Sequence, residues 1–242
     1  MVKIIVHIAK AMVAIVLSLL CLSCGFDFKS LDGDGNATSQ KRQITETFNS
    51  VSAERALEVI IQQGPEQSVT VEADQNLQEH IKTEVKGGEL IITADTNISS
   101  GKKTIIVTMP DIKSLSTESS ATIKSEGSIK GESVKLSSSS GSSIEVSIDA
   151  KHVDCETSSG AHIKIDGLAE KLEASSSSGG NINAKALKAQ TVTADASSGG
   201  NTTVNPVKKL SADASSGGHV YFTSTPEELK KNASSGGIVS QL

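Results

Sequence analysis

Short runs in which apolar and polar residues alternate recur along the second half of the chain, each beside a Ser-Ser dipeptide. Runs that follow a dipeptide include SIEVS (residues 143–147) and HIKID (residues 162–166). Runs that precede one include VDCET (residues 153–157) and VTADA (residues 192–196). Alternation with a period of two is typical of a β-strand with one buried and one exposed face. The pattern therefore predicts two short strands for each dipeptide.

The Ser-Ser dipeptides return at a nearly constant interval of 18 to 20 residues. They begin at Ser119, Ser139, Ser158, Ser177, Ser197, Ser215 and Ser234. A flexible Ser/Gly linker has no reason to keep a period, whereas a structure whose coils each close the same circuit does. Parallel stacking of such coils, roughly 4.8 Å apart, builds a β-solenoid, and the crossover rule favours right-handed winding. We therefore predict an all-β, single-stranded β-helix with coils of about 19 residues over residues 111–242.

Alignment of the repeats assigns residues to columns. The column predicted to face inward before each dipeptide holds mainly small residues, which indicates a narrow interior: Leu136, Cys155, Ala174, Ala194 and Ala212. The residue after each dipeptide is glycine in six of the seven repeats, so we expect a positive φ there. The first repeat has Ala121 instead and is expected to turn differently. In the last repeat Lys231 replaces the inward alanine, so we expect that coil to be open, frayed or covered.

Residues 44–110 have longer aliphatic runs than the repeats. VIIQQGPEQSVTVEA (residues 59–73) and HIKTEVKGGELIITA (residues 80–94) are typical of strand–turn–strand units that bend at their glycines. A further strand, TIIVTM, ends at Pro110. This section is predicted to be β-rich, with a wider core that caps the first coil of the solenoid.

The first 23 residues carry the features of an export signal. Lys3 and Lys10 precede an apolar run, residues 11–22, that is too short to span a bilayer comfortably. Ser23 followed by Cys24 resembles a lipobox, which predicts that Cys24 is the lipid-modified first residue of the mature protein. A soluble secreted protein with an ordinary cleavage site is the alternative. Residues 24–43 are then predicted to be a flexible tether.

Composition excludes some classes of function. The net charge is −5 and arginine occurs only at Arg42 and Arg55. The sequence therefore does not predict the positively charged surface that binds nucleic acid. Aromatic residues make up 2% of the chain and tryptophan is absent, which weakens any glycan site built on ring stacking. After processing, Cys155 would be the remaining cysteine, so no internal disulfide is expected, and its column predicts a buried thiol.

The order of these parts resembles a known family. ITETFNSVSAERALEVIIQQGPEQSVTVEADQNLQEHIKTEVKGGELIITA (residues 44–94), followed by serial Ser-Ser-Gly corners, is similar to the putative auto-transporter adhesin, head GIN domain family, a domain of unknown function. The resemblance covers roughly residues 44–240. It implies a β-helical envelope lipoprotein, and it carries over no catalytic residue and no cofactor.

Metal sites find little support in the sequence. His162 and His219 share a column but are separated by about three coils, roughly 14 Å, which is too far for one ion. The DGDGN segment (residues 32–36) matches the first three ligand positions of a calcium loop, but Ala37 and Gln43 replace the expected Gly and Glu. We therefore expect no metal and no cofactor.

An outward column before the dipeptides is acidic in part. It holds Glu156, Ser175, Asp195, Asp213 and Asn232. Asp195 and Asp213 on neighbouring coils could act as the carboxylate pair of a polysaccharide lyase or hydrolase. However, residues 111–242 contain no arginine to serve as a base, and the even repeat leaves no room for groove-forming loops. Charges that oppose edge stacking explain the column equally well.

The second serine of each dipeptide forms a column of hydroxyls: Ser140, Ser159, Ser178, Ser198, Ser216 and Ser235. Together with Asn181, Asn201, Asp195 and Asp213, these serines could contact glycans or another chain, although corner serines also bond to local backbone. We therefore expect a non-enzymatic outer-membrane lipoprotein of a Gram-negative envelope, facing the periplasm or the cell surface. Its expected partners are the membrane, through Cys24, and envelope glycans or proteins for adhesion or assembly. An oligomer is compatible with the sequence, and a carbohydrate-active enzyme is the alternative.

Overall fold

The structure, a computed structural model, describes residues 30–242. The predicted export signal (residues 1–23) and lipidation site (Cys24) lie outside the described residues. Nearly all described residues belong to strands or tight turns, and the single helical element among them is the 3-10 turn Gln75–Leu77. Within residues 30–242, no helix is long and apolar enough to cross a membrane.

The repeats form a roughly 7-turn β-solenoid with about 19-residue coils, as predicted. Each complete coil is one long strand, and it pairs in parallel with the next coil along both its first and its second half. The strands are β10 Ser114–Thr117, β11 Thr122–Ser138, β12 Ser143–Thr157, β13 His162–Ser176, β14 Asn181–Ala196, β15 Asn201–Ala214, β16 His219–Phe222, β17 Glu228–Ala233 and β18 Ile238–Gln241. At the C-terminal end the two halves of a coil are separate strands, because β15 pairs with β16 along its first half and with β17 along its second half.

The interior of the solenoid is narrow, as its small residues predict. Leu136, Cys155 and Ala174 lie opposite one another in consecutive coils and are buried. The column continues through Ala194 to Ala212 with the same burial. Burial raises the pKa of the Cys155 thiol well above its ordinary value, and the nearby acidic side chains add to the effect. Cys155 is therefore a small apolar packing residue rather than a reactive thiol.

Most strands of the N-terminal section extend the same sheet. The strands of this section are β1 Ser30–Asp32, β2 Ala37–Arg42, β3 Ser50–Ala53, β4 Glu58–Gln63, β5 Ser68–Asp74, β6 Ile81–Lys86, β7 Glu89–Ala94, β8 Asn97–Ser100 and β9 Lys103–Met109. The exceptions, β1 and β8, pair with each other in a separate two-stranded sheet. Strands β3 and β7 continue the stack of second halves in parallel, and β4 and β9 continue the stack of first halves. Antiparallel strands β5, β2 and β6 then close the end.

Large side chains fill this closed end. Fully buried residues there include Leu57, Leu77, Leu90, Ile105 and Met109. In the later coils, alanines occupy many of the corresponding interior positions. One continuous apolar core therefore becomes narrower from the N-terminal section to the last coil.

The described part of residues 24–43 is not the flexible tether that the sequence predicts. Residues 37–42 form strand β2, which pairs antiparallel with β5 over its whole length. The half-buried side chains of β2 are polar (Thr38 and Arg42), so the strand lacks the apolar alternation that reveals a buried face. They meet the buried amide of Gln78, which donates to the Thr38 carbonyl at 3.0 Å and accepts from Arg42 Nη2 at 3.1 Å.

The DGDGN segment is a packed loop. Asp32 accepts hydrogen bonds from the hydroxyls of Ser99 and Ser100, and these bonds lower the pKa of its carboxyl. Asp34 accepts a bond from the backbone N–H of Asn36 at 3.0 Å.

Candidate functional site

A stacked column of identical turns forms one edge of the solenoid. In each turn the backbone N–H of the fourth residue donates to the carbonyl of the first, as from Gly180 to Ser177 at 2.8 Å. The two central residues both have positive φ, for example 48° at Ser178 and 74° at Gly179. Positive φ at both central positions is the signature of the type I′ turn. The prediction of a positive φ at the first glycine is confirmed, and the positive φ of the preceding serine was not foreseen.

The first turn of the column does not differ from the others, contrary to the sequence prediction. Ser119 and Ser120 have φ of 51° and 64°, and the N–H of Ala121 donates to the carbonyl of Glu118. The same turn therefore lies one residue earlier relative to the dipeptide. Serine at both central positions concealed this shift, because no glycine marks the second one.

The glycine after the positive-φ glycine is present for a different reason. A Cβ at Gly200 would lie 2.5 Å from the carbonyl oxygen of Ser176 in the preceding coil. A Cβ at Gly199 would meet nothing within 4 Å. The first glycine therefore satisfies the backbone conformation, and the second allows neighbouring coils to approach closely.

The second serines of the last six dipeptides, which we call the turn serines, all have positive φ and present their hydroxyls to solvent. The turn serines are Ser140, Ser159, Ser178, Ser198, Ser216 and Ser235. All six are exposed, and none of their hydroxyls forms a hydrogen bond within residues 30–242. Backbone bonds hold the column together instead, as from the N–H of Gly160 to the Ser178 carbonyl at 3.2 Å. The local capping role that is common for corner serines is therefore absent from this part of the chain.

A shallow polar trough follows the turns on the side of the second strand halves. We call it the turn-side trough. Its N-terminal part has a volume of about 390 Å³ and its C-terminal part a volume of about 410 Å³. The N-terminal part is lined by Ser116, Thr117, Glu118, Ser137, Ser138, Ser139, Glu156, Thr157, Ser158, Ser175 and Ser177. The C-terminal part is lined by Asp195, Ala196, Ser197, Asp213, Ala214, Ser215, Asn232 and Ser234. Both parts therefore offer mostly hydroxyls and carboxylates.

Asp195 and Asp213 lie on neighbouring coils of this trough, opposite each other in the parallel register. Partial burial, and then the charge of Asp213, raise the pKa of Asp195 above its ordinary value. Asn232 on the next coil donates to Asp213 Oδ1 at 3.1 Å. Within residues 30–242, the lining of this part includes no Lys, Arg, His or Tyr side chain. No residue that lines this part of the trough beside the pair is suited to act as the base of a lyase.

Asn181 and Asn201 lie on the other side of the turns. They pair with each other and share a column with His162 and His219 on the first strand halves. Neither asparagine lines the turn-side trough. The predicted binding face is therefore a ridge of turn serines, with an aspartate flank on one side and an asparagine flank on the other.

The histidines make local contacts. His152 Nε2 lies 2.9 Å from Glu173, and His219 Nδ1 lies 3.0 Å from the hydroxyl of Tyr221. In the part of the chain that the structure describes, no group of three or more His, Cys, Asp or Glu side chains is placed to hold a metal ion.

Sequence reasoning missed the first serine of each dipeptide and the outward serines before it, such as Ser137 and Ser175, as trough-lining residues. These serines recur with the same period as the dipeptides that identified the coils, so the sequence could have revealed them. It also missed the small residues at the opposite corner of each coil, which recur with the same period at Ala150 and Ala169.

Comparison with known proteins places the chain in a family. Residues 47–226 match the family described as putative auto-transporter adhesin, head GIN domain. The chain belongs to this family. No curated protein matches the sequence.

Solved structures of several bacterial proteins share the fold. A putative adhesin from Bacteroides fragilis NCTC 9343 aligns with a TM-score of 0.77 at 17% identity, covering 88% of this chain and 99% of its own. A putative adhesin from Parabacteroides merdae ATCC 43184 aligns with a TM-score of 0.70 at 14% identity, with coverage of 88% and 99%. A putative lipid binding protein from Parabacteroides distasonis ATCC 8503 gives 0.69 at 18% identity, with coverage of 88% and 100%. At these identities the likeness establishes the fold alone.

Proposed function

We propose that this head GIN protein is a non-enzymatic adhesin of a Gram-negative envelope, anchored in the outer membrane by lipid at Cys24. It binds envelope glycans or proteins through the turn serines and the flanks beside them. The family assignment supports an adhesion-type role at the envelope. The observation that carries the proposal is the column of six exposed turn serines without a hydrogen-bond partner within residues 30–242.

The choice of serine at these positions is informative. A non-glycine residue with positive φ costs on the order of 1 kcal/mol, and Gly, Asn or Asp is the usual first central residue of a type I′ turn. Serine nevertheless occurs there in six consecutive turns, at φ between 48° and 56°. Since these hydroxyls form no hydrogen bond within residues 30–242, contact with a partner accounts for the presence of serine. Their roughly 4.8 Å spacing suits a partner with a repeating surface.

Replacement of serine by glycine tests the proposal without disturbing the turn. Glycine accepts positive φ, so the triple variant Ser159→Gly, Ser178→Gly, Ser198→Gly should fold with an unchanged or higher Tm. We expect it to lose binding to immobilised envelope glycans or to envelope protein fractions. Ser133→Ala, an exposed serine away from the turns, is the control. Binding by the triple variant equal to that of the unchanged protein would refute a role for the hydroxyls.

The anchor is tested separately. Cys24→Ala should release the protein from the membrane fraction and prevent processing at that site. If the variant still fractionates with membranes and is processed as before, anchoring through Cys24 is wrong.

A carbohydrate-active enzyme remains the second candidate because of the raised pKa of Asp195 beside Asp213. An acid with a raised pKa next to a second carboxylate is the arrangement that glycoside hydrolysis uses. The double variant Asp195→Asn, Asp213→Asn distinguishes the two candidates. Polysaccharide cleavage by the protein that disappears in this variant would establish the enzyme, whereas unchanged adhesion without any cleavage supports the adhesin.

A further inference from the structure

A cavity lies at the corner of the coils away from the turns. This corner groove has a volume of about 880 Å³. Small residues form its floor, namely Gly131, Ala150, Ala169 and Pro206. With the fully buried Ala189 they lie opposite one another in consecutive coils. Because the floor residues stack in register, the groove crosses the strands and runs along the solenoid axis.

The walls of the corner groove repeat once per coil. The residue before each floor position forms one wall, which includes Asp149, Leu168, Lys188 and Asn205. The residue after each floor position forms the other, which includes Glu132, Lys151, Glu170 and Gln190. Each coil therefore offers a pair of side chains that face across the groove, at a spacing of roughly 4.8 Å.

Most side chains of these walls are polar, and two, Leu168 and Val207, are apolar. Lys151 Nζ bonds to Glu132 at 2.8 Å, whereas neither Lys188 nor Asp149 has an ion-pair partner within residues 30–242. Leu168 is 54% exposed and Val207 is 40% exposed, so each presents an apolar surface beside charged neighbours. The lining contains three acidic and two basic side chains.

We propose that the corner groove binds a linear, neutral polysaccharide that lies along the solenoid axis. Because the wall positions recur once per coil, their spacing suits a ligand that has a repeating unit. Carboxylate, ammonium and amide groups supply acceptors and donors for sugar hydroxyls, and the exposed side chains of Leu168 and Val207 contact the C–H faces of the sugars. The excess of acidic side chains opposes an acidic polymer.

An extended peptide fits the groove less well. Peptides that bind β-proteins in an extended form gain affinity from a free strand edge. The backbone of β12, β13 and β14 is already paired with a neighbouring coil on both sides. A ligand in the groove is therefore bound by side chains, which is how sugar hydroxyls are bound.

Affinity electrophoresis of the purified protein tests this proposal. The gels contain mannan, xyloglucan or dextran as neutral polymers, and polygalacturonate as the acidic one. We expect at least one neutral polymer to retard the protein. Lys188→Glu and Leu168→Ser should each weaken that binding about tenfold, the loss expected for one well-placed contact. Lys185→Glu, on the same coil but outside the groove, and Leu229→Ser, on the last coil, are the matched controls.

Each outcome decides the matter. Retardation that is weakened by the groove variants and unchanged in the controls supports the proposal. No retardation by any neutral polymer, retardation by polygalacturonate alone, or equal retardation of groove and control variants overturns it. The adhesin proposal rests on the turn serines at another edge of the coil, so the Ser→Gly triple variant reports on it independently.

Discussion

Lys231 lies directly opposite Ala212 in the parallel pairing of β17 with β15. Ala212 faces inward and is buried, as is every earlier residue of that column from Leu136 onward, whereas Lys231 is exposed. All six residues of β17 are exposed. The register predicted from the sequence is therefore confirmed, and the last coil is open on its inward side.

The last coil should be the first part of the solenoid to open. Its amides, in residues 229–242, should exchange with deuterium well before those of residues 150–220, because few apolar contacts hold it. Hydrogen exchange followed by mass spectrometry measures this directly. Equal protection of the two regions in a monomeric protein would contradict the prediction.

Lys231 should also oppose association at this end. A charged side chain in an inward column prevents another strand from covering the coil. Lys231→Ala should therefore increase self-association, as measured by analytical ultracentrifugation. Lys230→Ala, the outward neighbour, should not. Similar behaviour of the two variants would mean that overall charge, and not the inward lysine, controls association.

The two glycines of one turn should differ in their response to a methyl group. Gly217→Ala should cost about 1 kcal/mol of unfolding free energy, because alanine is strained at positive φ but its Cβ meets nothing within 4 Å. Gly218→Ala should cost about 3 kcal/mol, because its Cβ would lie 2.3 Å from the Ala196 carbonyl oxygen and push two coils apart. Denaturant unfolding measures both values. Equal losses would show that close approach of the coils is not what requires the second glycine.

Stability should depend on pH through Asp195. Because burial and Asp213 raise its pKa, the folded protein holds the Asp195 proton to a higher pH than the unfolded chain does. The resulting stabilisation is complete below the ordinary pKa of 3.8 and is lost as the pH rises through the raised value. Asp195→Asn should therefore raise the Tm at pH 7 and leave it nearly unchanged at pH 3. Asp149→Asn is the control, and a lower Tm of Asp195→Asn at pH 7 would contradict the argument.

The closed N-terminal end should depend on the buried amide of Gln78. Its Nε2 donates to the carbonyls of Thr38 and Val71, and its Oε1 accepts from Arg42. Gln78→Ala should cost about 2–3 kcal/mol, because it leaves buried polar partners without hydrogen bonds. Gln75→Ala, an exposed position in the same 3-10 turn, should cost little. A similar small effect of both changes on chemical denaturation would show that the amide does not secure β2.

The repeat made the solenoid predictable from sequence. Its period fixes which residues stack, so the inward position of Cys155 and the mismatch at Lys231 both follow from alignment alone. Strand β2 was not predictable in the same way. Its half-buried residues, such as Arg42, are polar because they meet the amide of Gln78, which the chain supplies 36 residues later.

The candidate site was predictable only in part. The serine period locates the turn serines, but alternation within a strand does not show on which side of a turn a side chain lies. Asn201 and Asp195 are close in sequence and yet lie on opposite flanks of the ridge. The corner groove was not predicted, because a small residue in an inward column, such as Ala169, first indicates close packing of the core. It indicates a groove only when the side chains on either side of it are known.

Because the core narrows toward the C-terminus, the two ends of the solenoid should differ in mechanical strength. Leucine, isoleucine and methionine side chains fill the N-terminal end, whereas alanines such as Ala194 and Ala212 fill the later coils. In a stack whose coils contact only their neighbours, resistance to rupture follows the local contact energy. Under tension the coils should peel away singly from the C-terminal end, lengthening the molecule in steps while the N-terminal coils remain intact.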